Sequence, residues 1–192
     1  MIEALAAAAV GYALGSIPFG LVLTRLAGLG DIRRTGSGNI GATNVLRTGR
    51  KDIAALTLLL DGGKGAAAVL LMGWPLAALV AGVAAVIGHC TSPWVGFKGG
   101  KGVATGLGVI LAWSWQSGLV CLAVWLAAAF LSKRSSVGSL VAMAAAPFLL
   151  WAWAGPGAAI AGAAVAALCW VRHHANIARL LAGTEPRIGA RP

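Results

Sequence analysis

Three polar, glycine-rich stretches of this 192-residue chain carry most of the residues that could do chemistry. The first covers residues 35–47, and its polar side chains are Thr35, Ser37, Asn39, Thr43, Asn44 and Arg47. Exposed backbone amides, short hydroxyl and amide groups and a guanidinium fork all bind phosphate oxygens well. The stretch therefore suits a phosphate-binding loop, and a flexible solvated loop is the alternative interpretation at this point.

The second stretch runs from Gly88 to Thr105 and contains Lys98 and Lys101 among its glycines. It leads straight into a predicted helix, whose N-terminus presents free N–H groups and the positive end of a dipole to an anion. It is not a nucleotide-binding P-loop, because Val95 stands where the first glycine is required and Gly102 where Ser or Thr is required. Anion binding fits this stretch, nucleotide hydrolysis does not, and a loop that is merely basic remains the alternative.

The third stretch is Asp61-Gly62-Gly63-Lys64-Gly65, and one further group of polar residues accompanies the three stretches. Asp61 and Lys64 lie inside an apolar segment, where an ionisable residue usually faces a polar cavity or a partner. Their spacing of three allows them to pair on one helix face, so a structural pair and a role in shaping a site are both open. This further group consists of Ser139 near the start of an apolar segment and His173 and Asn176 after the last one.

Several common catalytic arrangements lack the residues that they need. There is no Gly-x-Ser-x-Gly motif, and Cys90, Ser37 and Ser139 come without an evident base and orienting group. The His-x-x-x-x-Asp arrangement of many acyltransferases is absent, and the chain has only five acidic residues, which disfavours a multi-carboxylate metal site. The remaining cationic and amide donors suit a site that binds two phosphates, and such a site can catalyse by positioning and electrostatics if one substrate brings its own good leaving group.

The composition indicates that the elements positioning these residues are membrane helices. The chain is 59% hydrophobic and 10% charged with a mean hydropathy of +0.85, whereas soluble domains carry about 25% charged residues. The pattern predicts seven apolar segments, at about 4–24, 53–72, 75–90, 102–114, 118–132, 137–153 and 157–172. We therefore expect an all-α integral membrane protein with seven transmembrane helices, formed as one domain over residues 1–192.

The basic residues predict the orientation of these helices. With seven spans, fourteen of the fifteen Lys and Arg residues fall on one face, and Lys64 is the exception. The positive-inside rule places that face in the cytoplasm, with the N-terminus outside and the C-terminus inside. The net charge of +10 then follows largely from topology and requires no nucleic-acid partner. The cytoplasmic segments are predicted at about 25–52, 89–101, 133–136 and 173–192.

Four motifs together resemble a known family. They are Gly-Ser-Gly-Asn-Ile-Gly-Ala-Thr-Asn-Val-Leu-Arg at 36–47, Asp-Gly-Gly-Lys-Gly at 61–65, Gly-His…Phe-Lys-Gly-Gly-Lys-Gly-Val-Ala-Thr at 88–105 and His-x-x-Asn-Ile-x-Arg-Leu-Leu-x-Gly-x-Glu at 173–185. In order and spacing these motifs resemble the bacterial acylphosphate-dependent glycerol-3-phosphate acyltransferases, the PlsY family. The resemblance covers nearly the whole chain.

The resemblance implies an enzyme of the bacterial cytoplasmic membrane whose active site faces the cytoplasm. It implies transfer of an acyl group from acyl phosphate to the sn-1 hydroxyl of glycerol 3-phosphate, which forms lysophosphatidate and inorganic phosphate as the first step of phospholipid synthesis. No metal, cofactor or obligatory protein partner is implied. A small membrane transporter of anions or phosphate esters is the alternative, but it predicts polar features on both faces, and the outer connections are short and nearly featureless.

The motif matches also imply residue roles. Ser37, Arg47 and Lys101 are expected to hold phosphate groups, and Asn176 is expected to orient the substrate near the transferred carbonyl. The remaining expected substrate-binding residues are Asn39, Thr43, Asn44, Asp61, Lys64, Ser139 and His173. The base that deprotonates the glycerol hydroxyl is left open between a substrate phosphate and His173.

Overall fold

The computed structural model describes residues 1–73 and 75–189, and the regular structure in these two ranges is entirely helical. Two short 3₁₀ turns, at 32–34 and 93–95, lie in the connections. The ten α-helices of the described residues are α1 (Ile2–Ser16), α2 (Phe19–Leu26), α3 (Ala42–Leu46), α4 (Lys51–Leu70), α5 (Pro75–Cys90), α6 (Val103–Trp113), α7 (Trp115–Ser132), α8 (Ser135–Ala154), α9 (Pro156–Arg172) and α10 (His174–Leu181).

Each predicted apolar segment coincides with a helix or a helix pair. The segments 102–114 and 118–132 form the separate helices α6 and α7, because Ser114 takes an extended backbone conformation and its hydroxyl accepts a hydrogen bond from the amide of Ser117 at 3.3 Å. The first segment bends between Ile17 and Pro18, where the proline lacks a backbone donor, and continues as α2. Throughout residues 1–73 and 75–189 the regular structure is thus helical, and the apolar helices suit a membrane.

Length and hydropathy separate these helices into two classes. Five helical segments are long and apolar enough to cross a bilayer: 2–26 with its bend, α4, 75–95 (α5 with the 3₁₀ turn that follows it), α7 and α8. Helices α6 and α9 are apolar but shorter, with 11 and 17 residues. At 1.5 Å per residue, α6 covers only about half of a 30 Å hydrocarbon core.

Small residues bring the helices close together. A side chain at Gly11 or Gly15 of α1 would overlap the backbone of α5 at Ala81 and Ala85, so these two helices touch along their main chains. Packing through small residues is the usual solution in lipid, where apolar surface gains little by leaving the solvent. The largest buried cluster then joins α5, α6, α8 and α9, with Val109, Ile110, Met143 and Leu150 fully buried at its centre.

The long connection between α2 and α4 is folded. Its residues Ile32, Ile40 and Val45 are buried against Leu21 of α2 and Ala54 of α4. This small core belongs to the end of the molecule where the connections α5–α6 and α7–α8 and helix α10 also lie. The glycine-rich first stretch is therefore held against the helices as part of a built surface.

Candidate active site

One cavity of about 570 Å³ gathers the residues that the sequence singled out. It opens among the α2–α4 and α5–α6 connections, the start of α8 and helix α10. Ten of the eleven predicted site residues line it, all except Lys64: Ser37, Asn39, Thr43, Asn44, Arg47, Asp61, Lys101, Ser139, His173 and Asn176. Five cationic and two acidic side chains face the cavity, so its polar part is positively charged.

The buried side chain of Asn44 gives the first loop its shape. Its Nδ2 donates to the carbonyls of Ile32, Thr35 and Asn39 at 3.1, 2.9 and 2.8 Å, and its Oδ1 accepts from the amide of Ser37 at 3.0 Å. These contacts occupy both polar atoms of the amide. Asn44 thus holds the loop together from within, and the neighbouring side chains are free to face the cavity.

The loop presents a hydroxyl and a guanidinium to the cavity. Ser37 and Arg47 are both exposed and line it, and within the two described ranges neither side chain has a protein hydrogen-bond partner. Gly36 has a φ of +56°, and a Cβ there would come within 3.0 Å of the Arg47 side chain, so a glycine makes room for the guanidinium. Asn39 accepts a hydrogen bond from the Gly41 amide at 2.9 Å, while Thr43 is exposed at the cavity wall.

A series of hydrogen bonds between side chains fixes Lys101, the second cation of the cavity considered after Arg47. The ammonium of Lys101 donates to Oδ1 of Asn176 at 2.6 Å, and Nδ2 of Asn176 donates to Glu185 at 2.6 Å. Nε of Arg179 donates to the other oxygen of Glu185 at 2.7 Å. This series of hydrogen bonds orients the Asn176 amide, since one end must accept and the other must donate. It also leaves two of the three Lys101 hydrogens available to a ligand.

Burial and neighbouring charges shift the pKa values of Lys101 and Glu185, which belong to this hydrogen-bonded series. Burial lowers the pKa of Lys101 to about 8, with Glu185 opposing the shift and the nearby Arg179 and Arg47 cations adding to it. For Glu185, burial raises the pKa, but hydrogen bonds from Asn176 and Arg179 outweigh it and hold the pKa below the usual value. Glu185 is therefore an anion at neutral pH, and Lys101 is a cation that loses its proton in mildly alkaline solution.

His173 and Ser139 also line the cavity. Nδ1 of His173 lies 2.7 Å from the carbonyl oxygen of Cys169, which only accepts, so Nδ1 carries the proton and Nε2 is left as an acceptor. Burial lowers the pKa of His173 to about 4, so the ring is neutral at physiological pH. The Ser139 hydroxyl donates to the Ser135 carbonyl at 2.9 Å and accepts from Nε1 of Trp125 at 3.1 Å.

Asp61 and Lys64 form the buried ion pair that their spacing predicts, at 2.7 Å. The Lys64 ammonium also donates to the carbonyl of Ile17 at 2.6 Å, where α1 ends, and lies 3.0 Å from Nδ1 of His89 on α5. All three of its hydrogens thus have protein acceptors, and Lys64 does not line the cavity. Of the two roles that the sequence left open, this geometry favours an architectural one for Lys64. Asp61 lies at the cavity wall as well as in the pair.

The cavity continues from its polar end into an apolar one. Leu58 of α4, Leu107 of α6 and Leu122 and Leu126 of α7 line this part, together with Trp125. A cavity that joins a cationic end to a hydrocarbon-lined end suits an amphiphilic ligand with an anionic head and an aliphatic chain.

Sequence reasoning did not select Glu185 as a site residue, although its carboxylate holds both Asn176 and Arg179. The signal was present: it is one of only five acidic residues in the chain, and it lies in a basic C-terminal region. A lone carboxylate among cations is a good candidate for a buried counter-ion. His89 and Arg179 also line the cavity without having been chosen.

The fold and the cavity define an all-helical, multi-pass membrane protein with a cationic site next to an apolar channel. Comparison with known proteins identifies the family. The model of the glycerol-3-phosphate acyltransferase family matches residues 5–183, and the chain belongs to that family. The protein is therefore an acyltransferase, which agrees with the family resemblance of its motifs.

Relatives and solved structures agree with this assignment. The glycerol-3-phosphate acyltransferase of Granulibacter bethesdensis is 61% identical over 94% of this chain and 93% of its own length. That of Paramagnetospirillum magneticum is 57% identical over 100% of this chain and 96% of its own length. The crystal structure of PlsY, an integral membrane glycerol 3-phosphate acyltransferase, in its glycerol 3-phosphate form is 39% identical with a TM-score of 0.90, covering 97% of this chain and 96% of that one. Its lysophosphatidic acid form gives 38% and 0.89, with 97% and 95% covered.

Proposed function

We propose that this protein transfers an acyl group from acyl phosphate to the sn-1 hydroxyl of glycerol 3-phosphate. The products are lysophosphatidate and inorganic phosphate, as in the first step of bacterial phospholipid synthesis. The observation that carries the proposal is the cavity itself, in which Arg47, Lys101 and Ser37 face one end and leucines of three helices face the other. Two phosphates fit the cationic end, and an acyl chain fits the apolar end.

The phosphates are held by side chains whose hydrogens are free. Arg47 and Ser37 offer a guanidinium fork and a hydroxyl from the loop that Asn44 shapes, with Asn39 and Thr43 beside them. Lys101 offers two further ammonium hydrogens to the cavity. Charge-assisted hydrogen bonds of this type bind phosphate oxygens more strongly than neutral ones do.

Asn176 is the donor best placed for the acyl carbonyl. One of its Nδ2 hydrogens goes to Glu185, which leaves the second one for a ligand oxygen. In the transition state the carbonyl oxygen gains negative charge, and a preoriented amide hydrogen stabilises that charge. Lys101, next to Asn176, neutralises the charge that develops on the departing phosphate.

The transfer needs no covalent enzyme intermediate. The sn-1 oxygen attacks the carbonyl carbon of the mixed anhydride, a C–O ester bond forms and the bond from the carbonyl carbon to the phosphate oxygen breaks. The hydroxyl proton leaves with the phosphate, which is the stronger acceptor because the pKa of His173 is only about 4. Nε2 of His173 accepts a hydrogen bond from the other hydroxyl of glycerol 3-phosphate and so orients this substrate, and Ser139 lines the same cavity.

The basic residues support an orientation for the site. We place the cavity on the cytoplasmic face of the bacterial inner membrane, with seven spans, the N-terminus outside and the C-terminus inside. The short helices α6 and α9 are counted as spans because the cationic connections would otherwise fall on both faces. The segments 25–52, 89–101, 133–136 and 173–192 of the single domain then face the cytoplasm, where glycerol 3-phosphate is soluble.

Two alanine variants and one control test the site. Arg47→Ala and Lys101→Ala should each nearly abolish transfer while the protein still inserts into the membrane, because each removes a phosphate-binding cation. Arg33→Gln is the matched control, since Arg33 pairs with Asp31 at the surface and does not line the cavity. Substantial turnover by Lys101→Ala would contradict the assignment of that residue.

A second experiment separates the enzyme from the transporter alternative. Purified protein is given acyl phosphate and glycerol 3-phosphate in detergent, and phosphate release is followed with each substrate alone and with both. The proposal requires release that depends on both substrates, without added cofactor or partner protein. Flux of intact glycerol 3-phosphate into proteoliposomes, with no phosphate release, would contradict it.

A further inference from the structure

Arg172, which does not line the cavity, holds the backbone of the loop that carries Lys101. It lies in the last turn of α9 and is half-buried. Its Nη2 donates to the carbonyl of Gly99 at 2.9 Å, and its Nε donates to the carbonyl of Gly100 at 3.1 Å. The planar guanidinium fork thus spans two consecutive carbonyls, which a lysine ammonium cannot do with the same geometry.

Helix α5 bonds the backbone amides of the same two glycines. The Gly99 and Gly100 amides donate to the carbonyls of Cys90 and His89 at 3.2 and 3.0 Å. These carbonyls lie at the C-terminal end of α5, where no further turn of the helix would bond them. A Cβ at Gly99 or Gly100 would overlap His89, so the loop lies flat against the end of the helix. Both glycines are buried, and every polar atom of their backbone has a partner.

This arrangement fixes the two ends of Lys101 through one short segment. Arg172 bonds the two residues that immediately precede Lys101 in the chain, while Asn176 accepts a hydrogen bond from its ammonium. Arg172 and Asn176 are only four residues apart, on either side of the junction between α9 and α10. The backbone before Lys101 and the Lys101 ammonium are therefore both held by residues of the α9–α10 junction.

We propose that Arg172 is a positioning residue for acyl transfer, which acts by holding the Gly99–Gly100 peptide units so that the Lys101 ammonium meets the departing phosphate. The inference rests on the role given to Lys101 above. With Lys101 assigned to the departing phosphate, Ser37 and Arg47 are left to hold glycerol 3-phosphate, so loss of Arg172 should affect the chemical step more than the binding of this substrate. Misplacement of a catalytic group by about 1 Å costs on the order of a hundredfold in rate.

Two variants of Arg172 test the proposal. Arg172→Gln removes the charge and the fork, and we expect kcat to fall at least about tenfold while the KM for glycerol 3-phosphate changes by less than about threefold. Arg172→Lys keeps the charge but can bond only one carbonyl well, so its kcat should lie between that variant and the unchanged protein. Arg33→Gln serves as control and should keep full kcat.

A double-mutant cycle separates positioning from a general effect on stability. Lys101→Arg keeps a cation in the cavity but displaces it, so adding Arg172→Gln should lower kcat by less than about threefold. Size-exclusion profiles and melting temperatures in detergent identify variants that fail to fold, and Arg172→Lys then provides the comparison.

Several outcomes would overturn the inference. These are an unchanged kcat in either Arg172 variant, a tenfold rise in KM with kcat intact, or an equal fall in kcat in the presence and absence of Lys101→Arg. They differ from failure of the proposed function, in which Lys101→Ala itself would retain turnover.

Discussion

The pH dependence of transfer depends on the charge of Lys101. Burial lowers the pKa of this lysine to about 8, from an ordinary value of about 10.4. Because the pKa is lowered, the ammonium is lost as the pH rises through about 8, while a neutral amine neither holds phosphate nor stabilises its departure. The free protein should therefore lose kcat/KM in mildly alkaline solution, where an exposed lysine would still be fully charged.

The size of the effect follows from the pKa. With a pKa of about 8, roughly 90% of the lysine is protonated at pH 7 and roughly 10% at pH 9, so kcat/KM should fall about tenfold between these values. The second pKa of a phosphate monoester is about 6. Glycerol 3-phosphate is therefore already mostly a dianion between pH 7 and 9 and does not contribute to the fall in kcat/KM. In kcat the fall should move to higher pH, because a bound phosphate favours the charged ammonium.

The assay is steady-state phosphate release from pH 6.5 to 9.5, corrected for spontaneous hydrolysis of acyl phosphate in samples without protein. Lys101→Arg is the control, because a guanidinium keeps its charge throughout this range. Its kcat/KM should be lower but flat up to pH 9. A flat profile in the unchanged protein, or an alkaline fall that persists in Lys101→Arg, would refute the assignment of this titration to Lys101.

Three other substitutions give distinct expected results. Glu185→Gln removes the anion that raises the pKa of Lys101, so the alkaline fall should move to lower pH and kcat should drop at least about tenfold; an unmoved profile would contradict the coupling. His173→Ala should lower kcat without changing the shape of the profile between pH 5 and 7, because the ring is already neutral there; loss of an acid limb in this variant would instead identify His173 as the base. Lys64→Met leaves Asp61 buried without its partner and should lower the free energy of unfolding by roughly 3–5 kcal/mol, which is seen as a lower melting temperature. The double variant Asp61→Asn with Lys64→Met should recover part of this lost stability.

The apolar pattern was sufficient to predict the helices but not their irregularities. The segment 75–90 coincides with α5, because proline begins it and polar residues end it. The bend at Pro18 was also predictable, since proline removes a backbone donor. The start of α7 at Trp115, by contrast, depends on Ser114 accepting a hydrogen bond from the amide of Ser117, and hydropathy carries no information about such a cap.

The residues of the site could be predicted from the sequence, whereas the hydrogen bonds between them could not. Glycine-rich cationic stretches indicate anion binding from residue type alone, whereas the roles of single residues came from the family resemblance of the motifs. Ten of the eleven residues chosen in this way line one cavity. The Lys101–Asn176 bond joins positions 75 residues apart, and nothing in the local sequence specifies that contact. The same is true of Asn44, which sequence reasoning grouped with the substrate-binding residues although both of its polar atoms bond within the loop.

The donor specificity of the purified protein tests the central claim most directly. Protein in detergent is given glycerol 3-phosphate with either acyl phosphate or an acyl thioester of the same chain, and lysophosphatidate and phosphate are quantified together. We expect acyl phosphate alone to support transfer, with the two products formed in equal amounts. Transfer from the thioester at a comparable rate, or phosphate release from acyl phosphate that does not require glycerol 3-phosphate, would contradict the account.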